Sequence, residues 1–266
     1  MNSANATLRL DRLLANLGYG SRKDIQTLVR FGGVVLDGAA VSDASLHISL
    51  SPDLSQRLRI AGAPLDPPPG FVFMMHKPLG VTCSHKETGK LVYELLPQRW
   101  RARKPAISTI GRLDKETSGL LLLTDDGALL HRVIAPKSNV SKRYRVTLAR
   151  PLRGDEGERL ASGTLMLEGE DRPLLPVAFE VLHAAPPAGP VVHVSLTEGR
   201  YHQVRRMFAS LGNHVVALHR DRVGGLLLPP DLDAGRYRIL TAAESGLIFS
   251  GEEIFITTPT ATQMRR

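Results

Sequence analysis

Cysteine is almost missing from this chain: one thiol, Cys83, in 266 residues. That excludes a disulfide framework and any Cys-rich zinc site, and it reads as a cytosolic protein. Long apolar runs are missing too. No stretch approaches the roughly 18 consecutive apolar residues of a membrane span, and the start, MNSANATLRLDR, has no apolar signal core. The expectation is a cytoplasmic chain with no membrane partner. Acidic residues are the minority, 26 against 34 Lys and Arg for a net charge of +8. This favours a polyanionic partner, although a generally basic, solubilising surface would give the same number. His202, His214 and His219 have no thiol or carboxylate cluster beside them, so no metal is expected.

The hydrophobic share of 42% is enough to fill a core for one large domain, or a large one with a small companion. Leu10, Leu13, Leu14 and Leu17 recur at helical spacing over 8–17, and Gly18 ends the run. Ser21 with Asp24 forms a capping pattern, and Ile25, Leu28 and Val29 give a second helical stripe that stops at Gly32 and Gly33. VVLDGAAV (34–41) then reads as two short strands joined by Asp37-Gly38. This helix-helix-hairpin unit is too small to be a whole enzyme. Its polar faces carry Arg9, Arg12, Arg22, Lys23 and Arg30. Arg22 and Lys23 stand at a helix start, where cations oppose the dipole and suit a ligand better than the helix; a solvated face is the plain alternative.

AGAPLDPPPG (61–70) stiffens the chain toward extended geometry and marks a boundary. Four parts follow: a module over 1–60, a proline-rich linker over 61–70, a large domain over 71–250 and a loose tail over 251–266. In the large domain FVFMM (71–75), LLLL (120–123), YRVTL (144–148), VVHVSL (191–196) and HVVAL (214–218) read as strands. Helices are expected over 128–134, 155–162 and 201–211, with a short one after the Thr241–Glu244 capping pattern. The order of elements predicts an α+β domain on a mixed, mainly antiparallel sheet.

Three clusters, RWRARK (99–104), KRYR (142–145) and GRYHQVRRM (199–207), interleave basic residues with Trp100, Tyr144 and Tyr201. The combination suits phosphate contact with base stacking, and nucleic acid becomes the leading partner. If 112–114 is extended, Arg112 and Asp114 point the same way at the mouth of the leucine strand.

GRLDKETSGLLLLTDDG (111–127), KPLGVTCS (77–84), KRYRVTL (142–148) and EGRYHQVRRMFASLGNHVVALHRDRVGGL (198–226) resemble the motifs of pseudouridine synthases, most closely the RsuA family of small-subunit rRNA enzymes. The first module resembles an S4 RNA-binding domain. The resemblance implies isomerisation of a uridine in 16S rRNA, of the position-516 type, by a monomer with no cofactor. The substrate is implied to be small-subunit RNA or an assembly intermediate. Asp114 is implied as the catalytic carboxylate and Tyr144 as a residue packing on the uracil and a candidate base for the C5 proton. Arg112 would hold the target nucleotide out of its helix. Lys77 would shape the site, and Tyr201, His202, Gln203 and Arg206 would bind substrate. Lys142 and Arg143 join the module's basic residues as RNA contacts. A basic residue of HQVRR would hold the carboxylate ionised. On a helix over 201–211, Arg205 falls beside the apolar face of Val204, Met207, Phe208 and Leu211, so Arg205 is expected to meet Asp114, with Arg206 facing RNA or water. A sister enzyme of large-subunit rRNA and a non-catalytic RNA-binding assembly protein remain as alternatives.

Overall fold

Ser21 accepts from Asp24 N at 3.3 Å and Ser21 N donates to the Asp24 carboxylate at 2.7 Å, closing the capping box that the sequence predicts. The computed structural model describes residues 7–51, 53–85, 87–184 and 189–251, so the loose tail of the sequence reading lies outside the described residues except for Gly251. The chain forms two compact units, one of Met1–Val72, Tyr93–Ser108 and Leu123–Ala128, the other of Phe73–Val92, Thr109–Leu122 and Leu129–Arg266.

The first unit starts with β1 (Thr7–Arg9), α1 (Leu10–Asn16) and α2 (Arg22–Arg30). It continues through β2 (Val34–Leu36), β3 (Ala39–Ala40), β4 (His47–Ser49), α3 (Leu54–Arg57), β5 (Leu58–Ile60) and β6 (Ala63–Pro64). β1 pairs with β4, and β3-β2-β5-β6 form a small antiparallel sheet. The leucine stripe of α1 and Ile25 and Val29 of α2 are buried against Val34, Leu54 and Leu58 in one core, as their helical spacing requires. Asp37 and Gly38 take positive φ at the hairpin turn, which is why that dipeptide reads as a turn.

Helix α4 (Gln98–Arg101) belongs to the same unit, and three side chains of RWRARK have partners within it. Trp100 is 6% exposed and packs edge-on against Phe71 at 5.1 Å. Arg99 pairs with Asp66 and lies over the Tyr19 ring at 4.4 Å. Arg103 and Asp125 form a buried ion pair at 2.7 Å, and Arg103 also donates to the Pro67 carbonyl. Trp100 and Arg103 are therefore buried inside the unit, Arg99 is engaged at its surface, and Arg101 and Lys104 stay exposed.

The second unit is built on a nine-stranded sheet. Its strands are β7 (Val72–Lys77), β8 (Ser108–Ile110), β9 (Ser118–Thr124), β10 (Lys142–Leu148), β11 (Ala178–His183), β12 (Val191–Leu196), β13 (Val215–Val223), β14 (Leu226–Leu227) and β15 (Tyr237–Ile239). The order is β11-β12-β10-β13-β9-β7-β15, with β14 on β13 and β8 on β9. Pairing is antiparallel from β11 to β13 and between β7 and β15, and parallel between β13 and β9. The fold is α+β, mixed and mainly antiparallel. Helices α5 (Gly127–Ile134), α6 (Glu156–Ala161), α7 (Gln203–Ser210) and α8 (Ala242–Leu247) follow the predicted positions. α7 starts two residues later than the sequence suggests, because His202 takes a left-handed conformation at φ 47 and stops the helix. β13 runs five residues beyond HVVAL. Gly119, at φ 113, lets β9 approach β13: a Cβ there would stand 2.1 Å from the Arg220 carbonyl oxygen.

No helix of the described residues is long and apolar enough to cross a membrane.

Candidate active site

Residues 112–114 lie between β8 and β9 outside regular secondary structure, with Leu113 buried, Arg112 exposed and Asp114 partly buried. Arg112 is 65% exposed and donates to Glu87 at 3.0 Å. The loop that follows is fixed from below. The Lys77 ammonium is fully buried and donates to the carbonyls of Pro78 at 2.9 Å, Thr117 at 2.8 Å and Lys115 at 3.4 Å. Gly80 N donates to the same Lys115 carbonyl at 2.9 Å. The KPLG segment therefore holds the DKET loop by its backbone. Burial pushes the Lys77 ammonium down, while nearby Cys83, Asp114 and Glu116 push it up and Arg220 pushes it down again.

The Asp114 carboxylate is half-buried, and the His202 imidazole approaches it, with Nε2 3.6 Å from Oδ1. The expected Arg205–Asp114 contact is not formed. Arg205 donates to the carbonyls of Val215 at 3.1 Å and Glu116 at 2.8 Å, tying α7 to the DKET loop through backbone. Arg206 does not face solvent alone: it pairs with Glu170 at 2.8 Å and donates to the Glu168 and Tyr201 carbonyls. That contact holds the Glu170 carboxyl below its ordinary range. Gln203 is 4% exposed, accepts from Arg200 N and donates to Glu198, both at 2.9 Å, so it stabilises the start of α7. Tyr201 is 76% exposed and stacks on His202 at 3.9 Å. Tyr201 and His202 thus present a flat aromatic face beside Asp114.

Tyr144 is buried on β10 opposite Arg220 of β13. Its hydroxyl lies 3.5 Å from Nη1 of Arg220, whose Nε donates to the Leu120 carbonyl at 2.8 Å. Arg220 is 2% exposed and was missed by sequence reading. The signal was available: continued past Leu218, the strand alternation puts a charge at an apolar position, Arg220. Lys142 follows Tyr144's parity on β10. Its half-buried ammonium donates to the Val140 carbonyl at 3.1 Å and is pushed down to about 8, by burial first and by Arg220 second. Arg143 points to the other face, where it pairs with Asp221 at 3.1 Å, and His193 lies 3.3 Å from the same carboxylate.

In the first unit Arg12, Arg22, Lys23 and Arg30 are exposed, while Arg9 is held by buried Asp11 at 2.8 Å. Among the described residues no three His, Cys, Asp or Glu side chains converge as a metal site.

Residues 72–210 match the family model described as RNA pseudouridylate synthase, and residues 8–51 match the S4 domain. The chain is 38% identical over 244 residues to the uncharacterised RNA pseudouridine synthase YtzG of Bacillus subtilis, covering 91% of this chain and 98% of that protein. It is 37% identical over 241 residues to the ribosomal small subunit pseudouridine synthase A of Escherichia coli, covering 89% and 98%. A crystal structure of a pseudouridylate synthase superposes with a TM-score of 0.62 at 35% identity, over 91% of this chain and 99% of that one.

Proposed function

Because the chain belongs to the RNA pseudouridylate synthase family and carries an S4 domain, we propose that it isomerises a uridine of 16S rRNA, the position-516 type, to pseudouridine. Asp114 is the catalytic carboxylate in this reading. The observation that carries it is the continuity of the site: Lys77 donates to the Lys115 and Thr117 carbonyls of the loop that carries Asp114, and Arg220, held by the Leu120 carbonyl of the strand that follows, lies at the hydroxyl of Tyr144.

An Asp114 oxygen attacks C1′ of the target uridine, and the C1′–N1 bond breaks with its electron pair leaving on uracil. The freed uracil turns, C5 bonds to C1′ as the carboxylate leaves, and the Tyr144 phenol passes its own proton to N1 while its oxygen takes the proton from C5, so the residue ends as it began. Atoms are conserved and no redox step occurs, so no cofactor is required. The Arg112–Glu87 pair is solvent-exposed and weak, so Arg112 can exchange Glu87 for the RNA backbone as it holds the flipped nucleotide. Tyr201 with His202 offers a stacking face for a neighbouring base. Arg12, Arg22, Lys23 and Arg30 supply phosphate contacts on the S4 domain.

The small-subunit target is supported by similarity to the Escherichia coli protein named above. Mapping pseudouridines in rRNA from cells lacking the gene tests it. Loss of one 16S position supports the reading, loss of a 23S position replaces it with the sister activity, and an unchanged map would leave an RNA-binding assembly role.

A further inference from the structure

Arg220 is a guanidinium with 2% exposure in the middle of a sheet, and among the described residues it has no carboxylate ion pair. Nε is spent on the Leu120 carbonyl, Nη1 faces the Tyr144 hydroxyl, and Nη2 is buried without a hydrogen-bond partner. The guanidinium carbon stands 5.9 Å from the Tyr144 ring centroid. Burying a charge without an opposite charge is costly, and an apolar residue would serve the core better. Groups of this kind collect where chemistry needs them.

We propose that Arg220 is a positioning residue for uridine isomerisation, acting through the hydroxyl of Tyr144. The inference rests on Tyr144 being the residue that takes the C5 proton. A guanidinium only donates hydrogen bonds, so in the contact with Nη1 the phenol oxygen must accept, and its own proton is turned away from Arg220. The ring is thereby held in one orientation, with one acceptor direction committed and the proton directed elsewhere. As that proton passes to N1 of the uracil and the oxygen, carrying developing negative charge, takes the C5 proton, Nη1 is already in place, and Nη2, lacking another partner, leaves the fork able to close on the oxygen with two donors. The backbone fixes the arrangement: Arg220 pairs with Gly119 across the parallel β9–β13 seam, and the next residue, Leu120, supplies the carbonyl that anchors Nε. The missing Cβ at Gly119 permits that approach.

The test is a double-mutant cycle on the full chain, using unmodified rRNA from cells lacking the gene as substrate. The variants are Arg220→Met, Arg220→Lys, Tyr144→Phe and the two doubles, each checked for folding by thermal melting. Arg220→Met is expected to lower kcat about tenfold or more, in line with loss of a charge-assisted hydrogen bond, with KM within about twofold. Arg220→Lys, which restores one donor, recovers part of that loss. In the Tyr144→Phe background either substitution changes kcat by less than about twofold, since the hydroxyl through which Arg220 acts is already gone. If Arg220→Met fails to fold, the Lys variant alone closes the cycle. Equal losses in both backgrounds, or an effect on KM alone, would overturn the proposal while leaving Tyr144 in its role. Wild-type kcat in Tyr144→Phe would remove the role of Tyr144 itself, and with it the positioning role.

Discussion

Nε2 of His202 reaches to within 3.6 Å of Oδ1 of Asp114, and it does so from a left-handed backbone at φ 47 and ψ 35. A non-glycine residue holds that conformation at a cost of about 1 kcal/mol or more, and such strain collects at functional sites. His202→Gly should therefore be more stable than His202→Ala by about 1 kcal/mol in urea unfolding. Both should lose the contact with Asp114 and turn over more slowly than the parent. Equal stability of the two variants would show that the left-handed backbone carries no strain.

The neighbouring arginines of α7 separate by partner. Arg205→Ala frees the Glu116 and Val215 carbonyls and loosens the loop that carries Asp114, so single-turnover rate should fall while RNA affinity changes little. Arg206→Ala removes a contact to Glu170 and Glu168, so it should lower the melting temperature and leave the salt slope of RNA binding unchanged. A salt slope reduced by about one phosphate contact in Arg206→Ala would put that arginine on the RNA instead.

Lys142 gives a pH signature. Its ammonium titrates near 8 in the folded chain against 10.5 as the ordinary value, because burial and Arg220 oppose the charge. Between these values the unfolded chain binds the proton and the folded chain does not, so this group's contribution to stability rises with pH in that window. Lys142→Met should therefore be more stable than the parent below pH 8, by roughly 1 to 3 kcal/mol, and the advantage should shrink towards pH 10. Urea unfolding of both proteins at a series of pH values checks it; a difference independent of pH would contradict the depressed lysine.

The Arg103–Asp125 pair is buried on both sides, with side chains 1% and 2% exposed. Asp125→Ala leaves an unpaired guanidinium inside the first unit and should cost about 3 to 5 kcal/mol, whereas Arg101→Ala, on the surface, should be near neutral. Comparable melting of the two would mean that the pair contributes nothing.

Periodicity and capping made most elements legible. The leucines of α1, the Ser21 and Thr241 caps and the four-leucine strand lie where pattern places them, because each reports a local choice of backbone. The partners of charged side chains were not legible. A helical wheel places Arg205 beside the apolar face but cannot see that His202 leaves the helix, nor that the Glu116 carbonyl lies within reach. That Arg99, Trp100 and Arg103 of RWRARK are engaged by Asp66, Phe71 and Asp125 was not legible, because composition carries no record of partners. Arg220 was hidden for the opposite reason. A basic residue inside HRDR reads as surface until strand alternation is carried past Leu218.

Asp114→Asn is the most direct measurement of the central claim. The amide preserves the shape of the side chain, but it exchanges one acceptor oxygen for a donor NH2 and cannot attack C1′. With unmodified rRNA under single-turnover conditions, the variant should form no pseudouridine above background while binding RNA within about twofold of the parent, since one carboxylate is a small part of a basic interface. Substantial turnover by the amide would contradict the account, because a residue other than Asp114 would then have to open the glycosidic bond.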